Sequence, residues 1–163
     1  MFVLFIGLAI VLLDQFTKQW IRATFVYGES RPVIDGFFNL AYVRNDGAAW
    51  NILSGHGIVL ILISVAVLVL LFVCHRSFLQ EQLSHKVLLG LMVGGIVGNL
   101  IDRIRFGWVT DFLDFQFGTY HYPSFNVADS AICIAVGLYI LTNLFSSAKK
   151  TEHGAESTEQ GDG

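Results

Sequence analysis

Four apolar runs, each close to the length that crosses a bilayer, limit what this 163-residue chain can fold into. They cover about residues 2–21, 58–74, 87–105 and 126–145. A spanning helix needs roughly 20 apolar residues, and in lipid the helix satisfies all of its own backbone groups. Only 14% of the residues are charged, against about 25% in a soluble domain. The sequence therefore predicts an all-α integral membrane protein with four transmembrane helices.

The length allows one domain, predicted to cover residues 1–148. Residues 149–163 carry much of the net charge of −3 and have no apolar pattern, which predicts a disordered polar tail. No strongly basic segment is present, so we expect no nucleic-acid partner.

The first run has a second interpretation, as a signal peptide, because its apolar core is short. However, no Lys or Arg precedes it, and Asp14, Gln15 and Lys18 follow where a cleavage site needs small residues. We therefore interpret it as a span.

Two runs differ in how they should pack. The third carries Gly90, Gly94 and Gly98 at four-residue spacing, a stripe that lets a neighbouring helix approach closely. This pattern predicts the central helix of the bundle. The second run, 58–74, is apolar on every face and is predicted to face lipid.

The polar residues embedded near the span ends should all lie on one side of the membrane, because four spans in series alternate in direction. They are Asp14, Lys18, Asn99, Asp102, Arg103, Asn126 and Asp129. Ionisable groups inside a span are usually functional or paired. The alternative is a structural role, as snorkelling or helix-capping residues. Lys18 is also spaced to pair with Asp14, and Asn126 is placed to cap the fourth helix.

A second group of acids lies in the connection 106–125, where Asp111 and Asp114 stand among aromatic residues. This composition predicts a segment in the membrane interface. The chain turns back at Pro123 into the fourth helix, which brings Asp111 or Asp114 within reach of Asp129. The residues alone do not decide between the two.

Two carboxylates in a partly dry site share one proton, and such a pair can hydrolyse a peptide bond without a metal. Neither H-E-x-x-H nor G-x-S-x-G occurs, and Cys74 and Cys133 are isolated. No cofactor or metal is predicted. A small proton-coupled transporter is the alternative, although transporters usually hold such charges near the bilayer midplane. A purely structural subunit would need no proximity between the acids.

Five motifs carry a family resemblance. They are LDQFTK at 13–18, RNDGAAW at 44–50, GNLIDR at 98–103, VTDF at 109–112 and FNVADSAI at 125–132. Together, in this order and over nearly the whole chain to about residue 148, they resemble the bacterial lipoprotein signal peptidase, signal peptidase II.

The resemblance implies an aspartic protease of the bacterial cytoplasmic (inner) membrane, with four spans and both termini in the cytoplasm. It cleaves prolipoproteins before a diacylglyceryl-modified cysteine, on the extracytoplasmic side. The motifs imply Asp111 and Asp129 as the catalytic pair. The implied supporting residues are Asp14, Lys18, Asn45, Gly47, Ala48, Asn99, Asp102, Arg103 and Asn126. For Arg103 a purely structural pairing with a carboxylate is the alternative.

The connection after the first helix contains FFNLAYV, 37–43, between two turn sequences, which predicts an ordered hairpin. The resemblance implies that it forms a small β-rich cradle on the membrane surface, beside the interfacial segment. The implied partners are lipid-modified prolipoproteins and membrane lipids, and a monomer is expected.

Charge counting conflicts with the implied orientation. Six cations lie on the polar side, at positions 18, 22, 31, 44, 103 and 105, against four at 76, 86, 149 and 150. A positive-inside count would put the polar side in the cytoplasm. The family resemblance puts it outside, so several of the six cations should be buried or paired.

Overall fold

The computed structural model of the chain describes residues 1–48, 52–74 and 83–142. These residues form four helices and four strands. The helices are α1 (Phe2–Thr24), α2 (Gly57–Val73), α3 (Leu83–Phe106) and α4 (Val127–Thr142). The strands are β1 (Ser30–Ile34), β2 (Phe38–Asn45), β3 (Val109–Phe117) and β4 (Tyr120–His121). The predicted polar tail lies outside the described residues.

The four apolar runs all contain helices, as the sequence predicts. By length and composition, α1 and α3 can cross a membrane, with 23 and 24 residues. Within the described residues, α2 and α4 are also apolar but shorter. The number of membrane crossings therefore stays a prediction.

Glycines on α3 allow its neighbours to approach closely. A Cβ added to Gly94 would lie 2.7 Å from the carbonyl oxygen of Gly7 in α1. One added to Gly95 would lie 2.5 Å from the carbonyl oxygen of Ala128 in α4. Side chains do not fit at such distances, so the helix backbones meet only because these residues are glycine. The helix α3 thus lies between α1 and α4, which confirms its predicted central position.

The helix α2 packs on α3 through a cluster of apolar side chains that includes Leu71, Leu89 and Ile96. Only Leu60 and Leu71 of α2 are buried, and most of its other apolar side chains are exposed. An apolar helix with this much exposed surface suits contact with lipid.

The four strands form one antiparallel sheet in the order β1-β2-β3-β4. The predicted hairpin is present, and its turn contains Gly36 at φ +71°, a conformation that favours glycine. The sheet packs on the end of α1, where Ile21 and Phe25 meet Tyr42 and Phe112. This contact fixes the sheet against the helix bundle.

The all-α fold class is corrected in one segment. For the connection 106–125 the sequence predicts an interfacial location but no secondary structure, and residues 109–117 form β3, a strand that pairs with β2 along its length. Residues Val109–Phe112 are all buried, so both faces of this part of the strand are covered. A strand covered on both faces shows no clear alternation of apolar and polar residues, and its aromatic content is then the stronger signal.

Candidate active site

Two carboxylates from different elements line one cavity. Asp111 lies on β3 and Asp129 in the first turn of α4, and both border a cavity of about 330 Å³. The remaining polar lining includes Asn45, Asn99 and Arg103. The structure thus brings together acids that are 18 residues apart in the sequence.

Asp111 is almost completely buried, with 2% of its surface exposed. Its Oδ1 accepts a hydrogen bond from Asn126 Nδ2 at 2.7 Å, and its Oδ2 accepts one from Asn45 Nδ2 at 2.9 Å. Burial raises the pKa of Asp111 from 3.8 to about 7, and the charge of Asp129 acts in the same direction. The two amide donors oppose this shift because they stabilise the ionised form.

Asp129 and Asn126 form a reciprocal cap at the start of α4. Asn126 Oδ1 accepts the Asp129 N–H at 2.9 Å, and Asp129 Oδ2 accepts the Asn126 N–H at 3.2 Å. The predicted N-cap role of Asn126 is confirmed. Because the same side chain also donates to Asp111, Asn126 joins the two carboxylates. Asn99 Nδ2 holds the other oxygen of Asp129, at 2.7 Å.

A buried ionic network lies behind the cavity. Lys18 is 0% exposed, and its Nζ is 2.8 Å from Asp14 Oδ2 and 3.7 Å from Asp102 Oδ2. It also donates to Asn99 Oδ1 at 2.8 Å. Asp14 Oδ1 accepts the Ala128 N–H at 3.0 Å, which ties α1 to the first turn of α4. The predicted pairing of Asp14 with Lys18 is therefore confirmed.

The loop after β2 forms another wall of the cavity. Asn45 Oδ1 accepts the Gly47 N–H at 3.0 Å, and Ala48 lines the cavity. Arg103 Nη2 donates to the Gly47 carbonyl at 2.9 Å. The alternative that Arg103 pairs with a carboxylate is wrong for the described residues, since none lies within 4.0 Å of its guanidinium. Its charge still interacts with those of Asp129 and Asp111 at longer range.

Asp114 lies apart from this site. It accepts from Asn39 Nδ2 at 3.1 Å and contacts His121 Nδ1 at 3.1 Å. Residues three apart on a strand point to opposite faces, so Asp111 and Asp114 cannot both face the cavity. The choice that the sequence left open falls on Asp111 as the neighbour of Asp129.

Sequence reasoning missed three members of the ionic network. Gln15 Nε2 donates to Asp102 Oδ1 at 3.1 Å, Arg22 Nη1 donates to Thr110 Oγ1 at 2.7 Å, and the Thr110 N–H donates to Asp102 Oδ2 at 3.0 Å. Arg22 continues the four-residue spacing of Asp14 and Lys18 on one face of α1, and this signal could have found it. No sequence pattern marks Thr110.

In the part of the chain that the structure describes, no three His, Cys, Asp or Glu side chains are grouped so that they could hold a metal ion. Cys133 lines the cavity as a free thiol, and Cys74 is also a free cysteine.

Comparison with known proteins identifies the family. The family model described as signal peptidase (SPase) II matches residues 6–145. A lipoprotein signal peptidase of Serratia proteamaculans (strain 568) is 41% identical over 153 residues, covering 91% of this chain and 89% of that protein. One from Bacillus pumilus (strain SAFR-032) is 41% identical and covers 93% of this chain and 98% of its own length.

Two solved structures share the fold. Both are bacterial membrane enzymes determined by the in meso method. The first superposes with a TM-score of 0.84 at 37% identity, covering 91% of this chain and 90% of the other. The second gives 0.79 at 38% identity, covering 87% and 92%. The matches in sequence and fold cover most of the chain, and the chain belongs to the signal peptidase II family of membrane peptidases.

Proposed function

We propose that this chain removes the signal peptide from diacylglyceryl-modified prolipoproteins by hydrolysing the bond before the lipidated cysteine, with Asp111 and Asp129 as catalytic residues. The observation that carries the proposal is the pair of carboxylates in one cavity, joined through Asn126. Relatives called lipoprotein signal peptidase align over most of this chain. Membership of a peptidase family also argues against the proton-coupled transporter.

The first chemical step uses the two carboxyl groups in different protonation states. Because the pKa of Asp111 is about 7, this group holds a proton in a large fraction of molecules at neutral pH. A water molecule attacks the carbonyl carbon of the scissile bond as the Asp129 carboxylate accepts one of its protons. Asp111 donates its proton to the carbonyl oxygen. The product is a neutral tetrahedral diol, with Asp129 protonated and Asp111 ionised.

The second step reverses the two roles. Asp129 donates its proton to the amide nitrogen as the carbon–nitrogen bond breaks, and Asp111 accepts a proton from one hydroxyl of the diol. The signal peptide leaves with a new carboxyl group, and the lipidated cysteine keeps a free amino group. Both carboxyl groups return to their starting states, so no further reactant is required.

The supporting residues position this pair. Asn45 and Asn126 hold the two oxygens of Asp111, and Asn99 holds one oxygen of Asp129. Behind them, the network of Lys18 and its carboxylates fixes Asn99 and the start of α4. Arg103 anchors the Gly47 loop and places a positive charge near both carboxylates.

For topology, we propose a monomer with a single domain over residues 1–148 and four spans in the bacterial inner membrane. Both termini are cytoplasmic and the cavity opens on the extracytoplasmic side. The positive-inside count carries less weight against this orientation, because the six cations on that side all have local partners. These partners are Asp14 for Lys18, Asp102 for Arg22, Glu29 for Arg31, aromatic rings for Arg44 and Arg105, and the Gly47 carbonyl for Arg103.

The orientation has a direct test, because Asp46 is exposed in the loop beside the cavity. An Asp46→Cys variant, with both native cysteines replaced by Ser, should react with a membrane-impermeant thiol reagent added outside spheroplasts. Labelling only after the membrane is permeabilised would contradict an extracytoplasmic site.

The catalytic assignment is tested by cleavage of a diacylglyceryl-modified prolipoprotein by purified protein, with a chelator present throughout. Asp111→Asn and Asp129→Asn should each lower kcat by about 10³-fold, because each removes one proton-transfer group. Asp114→Asn is the matched control on the same strand. Its carboxylate faces Asn39 and His121, so kcat should stay within about threefold of wild type.

Each outcome has a clear meaning. Circular dichroism must show that all three variants keep their helical content. Failure of the wild-type protein to cleave would refute the proposed function. Cleavage by Asp111→Asn or Asp129→Asn at nearly the wild-type rate would refute the catalytic pair.

A further inference from the structure

The chain between β4 and α4 has an open backbone edge beside the cavity. Phe125 pairs with β3 through both of its backbone groups: its N–H donates to Leu113 O at 3.1 Å, and its carbonyl accepts the Leu113 N–H at 2.8 Å. The Tyr122 N–H also donates to β3, to Phe115 O at 2.8 Å. Between these two contacts, Ser124 makes no backbone hydrogen bond to the strands that the structure describes.

Ser124 borders the cavity that contains Asp111 and Asp129, and it is only partly buried. Within the described residues, neither its backbone groups nor its hydroxyl has a hydrogen-bond partner. Pro123 has no N–H, and proline is typical of sheet edges. Ser124 thus provides one free donor and one free acceptor on this edge.

This edge is held rigidly relative to the carboxylates. The Phe125 ring stacks on Phe115 with centroids 5.8 Å apart and an interplanar angle of 11°. The next residue, Asn126, caps α4 and donates to Asp111. A peptide bound to Ser124 would therefore lie at a defined position with respect to both acids.

A substrate cut by this site has an unusual requirement. A signal peptide that crosses a membrane does so as a helix, in which each carbonyl accepts a hydrogen bond within the helix. Attack on the scissile carbonyl needs that helix to be unwound locally, which leaves backbone donors and acceptors unpaired in a poorly hydrated cavity. A free sheet edge can pair with them.

We propose that the substrate segment containing the scissile bond binds in extended form as an added strand on the Ser124 edge, pairing with both backbone groups of Ser124. The inference rests on the proposed function and identifies Ser124 as a positioning residue for it. Main-chain pairing of this kind recognises the conformation of a peptide without requiring particular side chains. It would let one enzyme accept signal peptides of different sequence.

The first test uses the wild-type enzyme and synthetic diacylglyceryl-cysteine peptides. In each peptide one backbone amide other than the scissile bond is replaced by an ester, which removes one N–H donor. An added strand predicts that one position near the scissile bond raises KM by about tenfold, while the positions on either side change it by less than about threefold. A peptide bound as a helix, in which the N–H groups are paired within the peptide, would not show one sensitive position flanked by two insensitive ones.

The second test changes the enzyme. Ser124→Pro removes the free N–H and should lower kcat/KM by about tenfold, mainly through KM, whereas Ser124→Ala keeps the N–H and should lose less. Cleavage of the parent peptide together with a flat ester scan overturns the inference and leaves the proposed function standing. No cleavage of the parent peptide by wild type overturns the proposed function itself. Because the ester scan uses wild type, it remains decisive even if Ser124→Pro does not fold.

Discussion

Two sets of carboxylates lie at the same end of the helix bundle, and they have different partners. Asp14 and Asp102 share the ammonium group of Lys18, at 2.8 and 3.7 Å. Asp111 and Asp129 instead accept hydrogen bonds from asparagine side-chain amides. The negative charge of Asp129 also raises the pKa of Asp111. Asp14, Asp102 and Asp111 are buried, whereas Asp129 is only partly buried. The partner therefore decides whether a carboxylate serves to hold the fold or to exchange a proton.

One side chain connects the two sets. Asn99 Oδ1 accepts from Lys18 at 2.8 Å and from Asn126 at 3.2 Å, while its Nδ2 donates to Asp129 at 2.7 Å. The orientation of this amide is fixed, because a cation on one side and a carboxylate on the other leave no freedom to exchange its oxygen and nitrogen. The ion-paired set thus positions the amide-held set.

The largest expected effect comes from removing the cation of the first set. Lys18→Met keeps the length of the side chain but leaves buried carboxylates without their shared charge. The free energy of unfolding should fall by about 3–5 kcal/mol. It can be measured by reversible SDS titration in mixed micelles.

Arg31→Met is the matched control for that experiment. Arg31 pairs with Glu29 at 2.7 Å, but both side chains are partly exposed, so the loss should be about 1 kcal/mol or less. The double variant Lys18→Met with Asp14→Asn should regain part of the lost stability, because one uncompensated charge is removed. Equal losses for Lys18→Met and Arg31→Met would refute the structural role of the first set.

A smaller effect is expected from the amide that joins the second set. In Asn126→Ser the hydroxyl can still cap α4, but the donor to Asp111 Oδ1 is lost. We expect kcat to fall by about 10- to 100-fold, as for the loss of a hydrogen bond to a charged group. The free energy of unfolding should fall by about 1–3 kcal/mol, because buried acceptors lose their donor.

Asn39→Ser provides the comparison for Asn126→Ser, because Asn39 donates to Asp114, away from the cavity. Its kcat should stay near the wild-type value. If both variants kept full activity, the proton exchange at Asp111 would not depend on its amide donors, and the contrast between the two sets would lose its functional meaning.

The parts of this arrangement that follow local rules could be predicted from the sequence. The helices follow from the length of the apolar runs, the central position of α3 from its glycines, and the pairing of Asp14 with Lys18 from their spacing. The cap at Asn126 follows from its position before an apolar run.

What could not be predicted depends on long-range pairing. The choice between Asp111 and Asp114 depends on which face of a strand each occupies, and the sequence did not identify β3 as a strand. For Arg103 the sequence offers a supporting role at the site or a carboxylate partner, yet its guanidinium donates to the backbone of a loop 56 residues away. Every residue type has a main-chain carbonyl, so patterns of residue types cannot reveal such a contact.

The pH dependence of activity and stability should reflect the second set, through Asp111. If Asp111 acts as the acid, kcat/KM should fall as the pH rises through about 7, the pKa of this group. The contribution of Asp111 to the free energy of unfolding changes in the same direction. Between pH 3.8 and about 7 the native state binds more protons at Asp111 than the unfolded chain does, so this group lowers stability as the pH rises across that range.

The smallest expected effect is a shift of this profile in Asn45→Ala. Asn45 donates to Asp111 Oδ2 at 2.9 Å and lowers the pKa of Asp111 because it stabilises the ionised form. Its removal should move the alkaline limb of kcat/KM to higher pH by about one unit. Ser54→Ala, which removes a donor to the exposed Asp46, should leave the limb in place. A shift of the limb to lower pH in Asn45→Ala would mean that Asp111 is not the proton donor, because losing a donor to a carboxylate can only favour its protonated form.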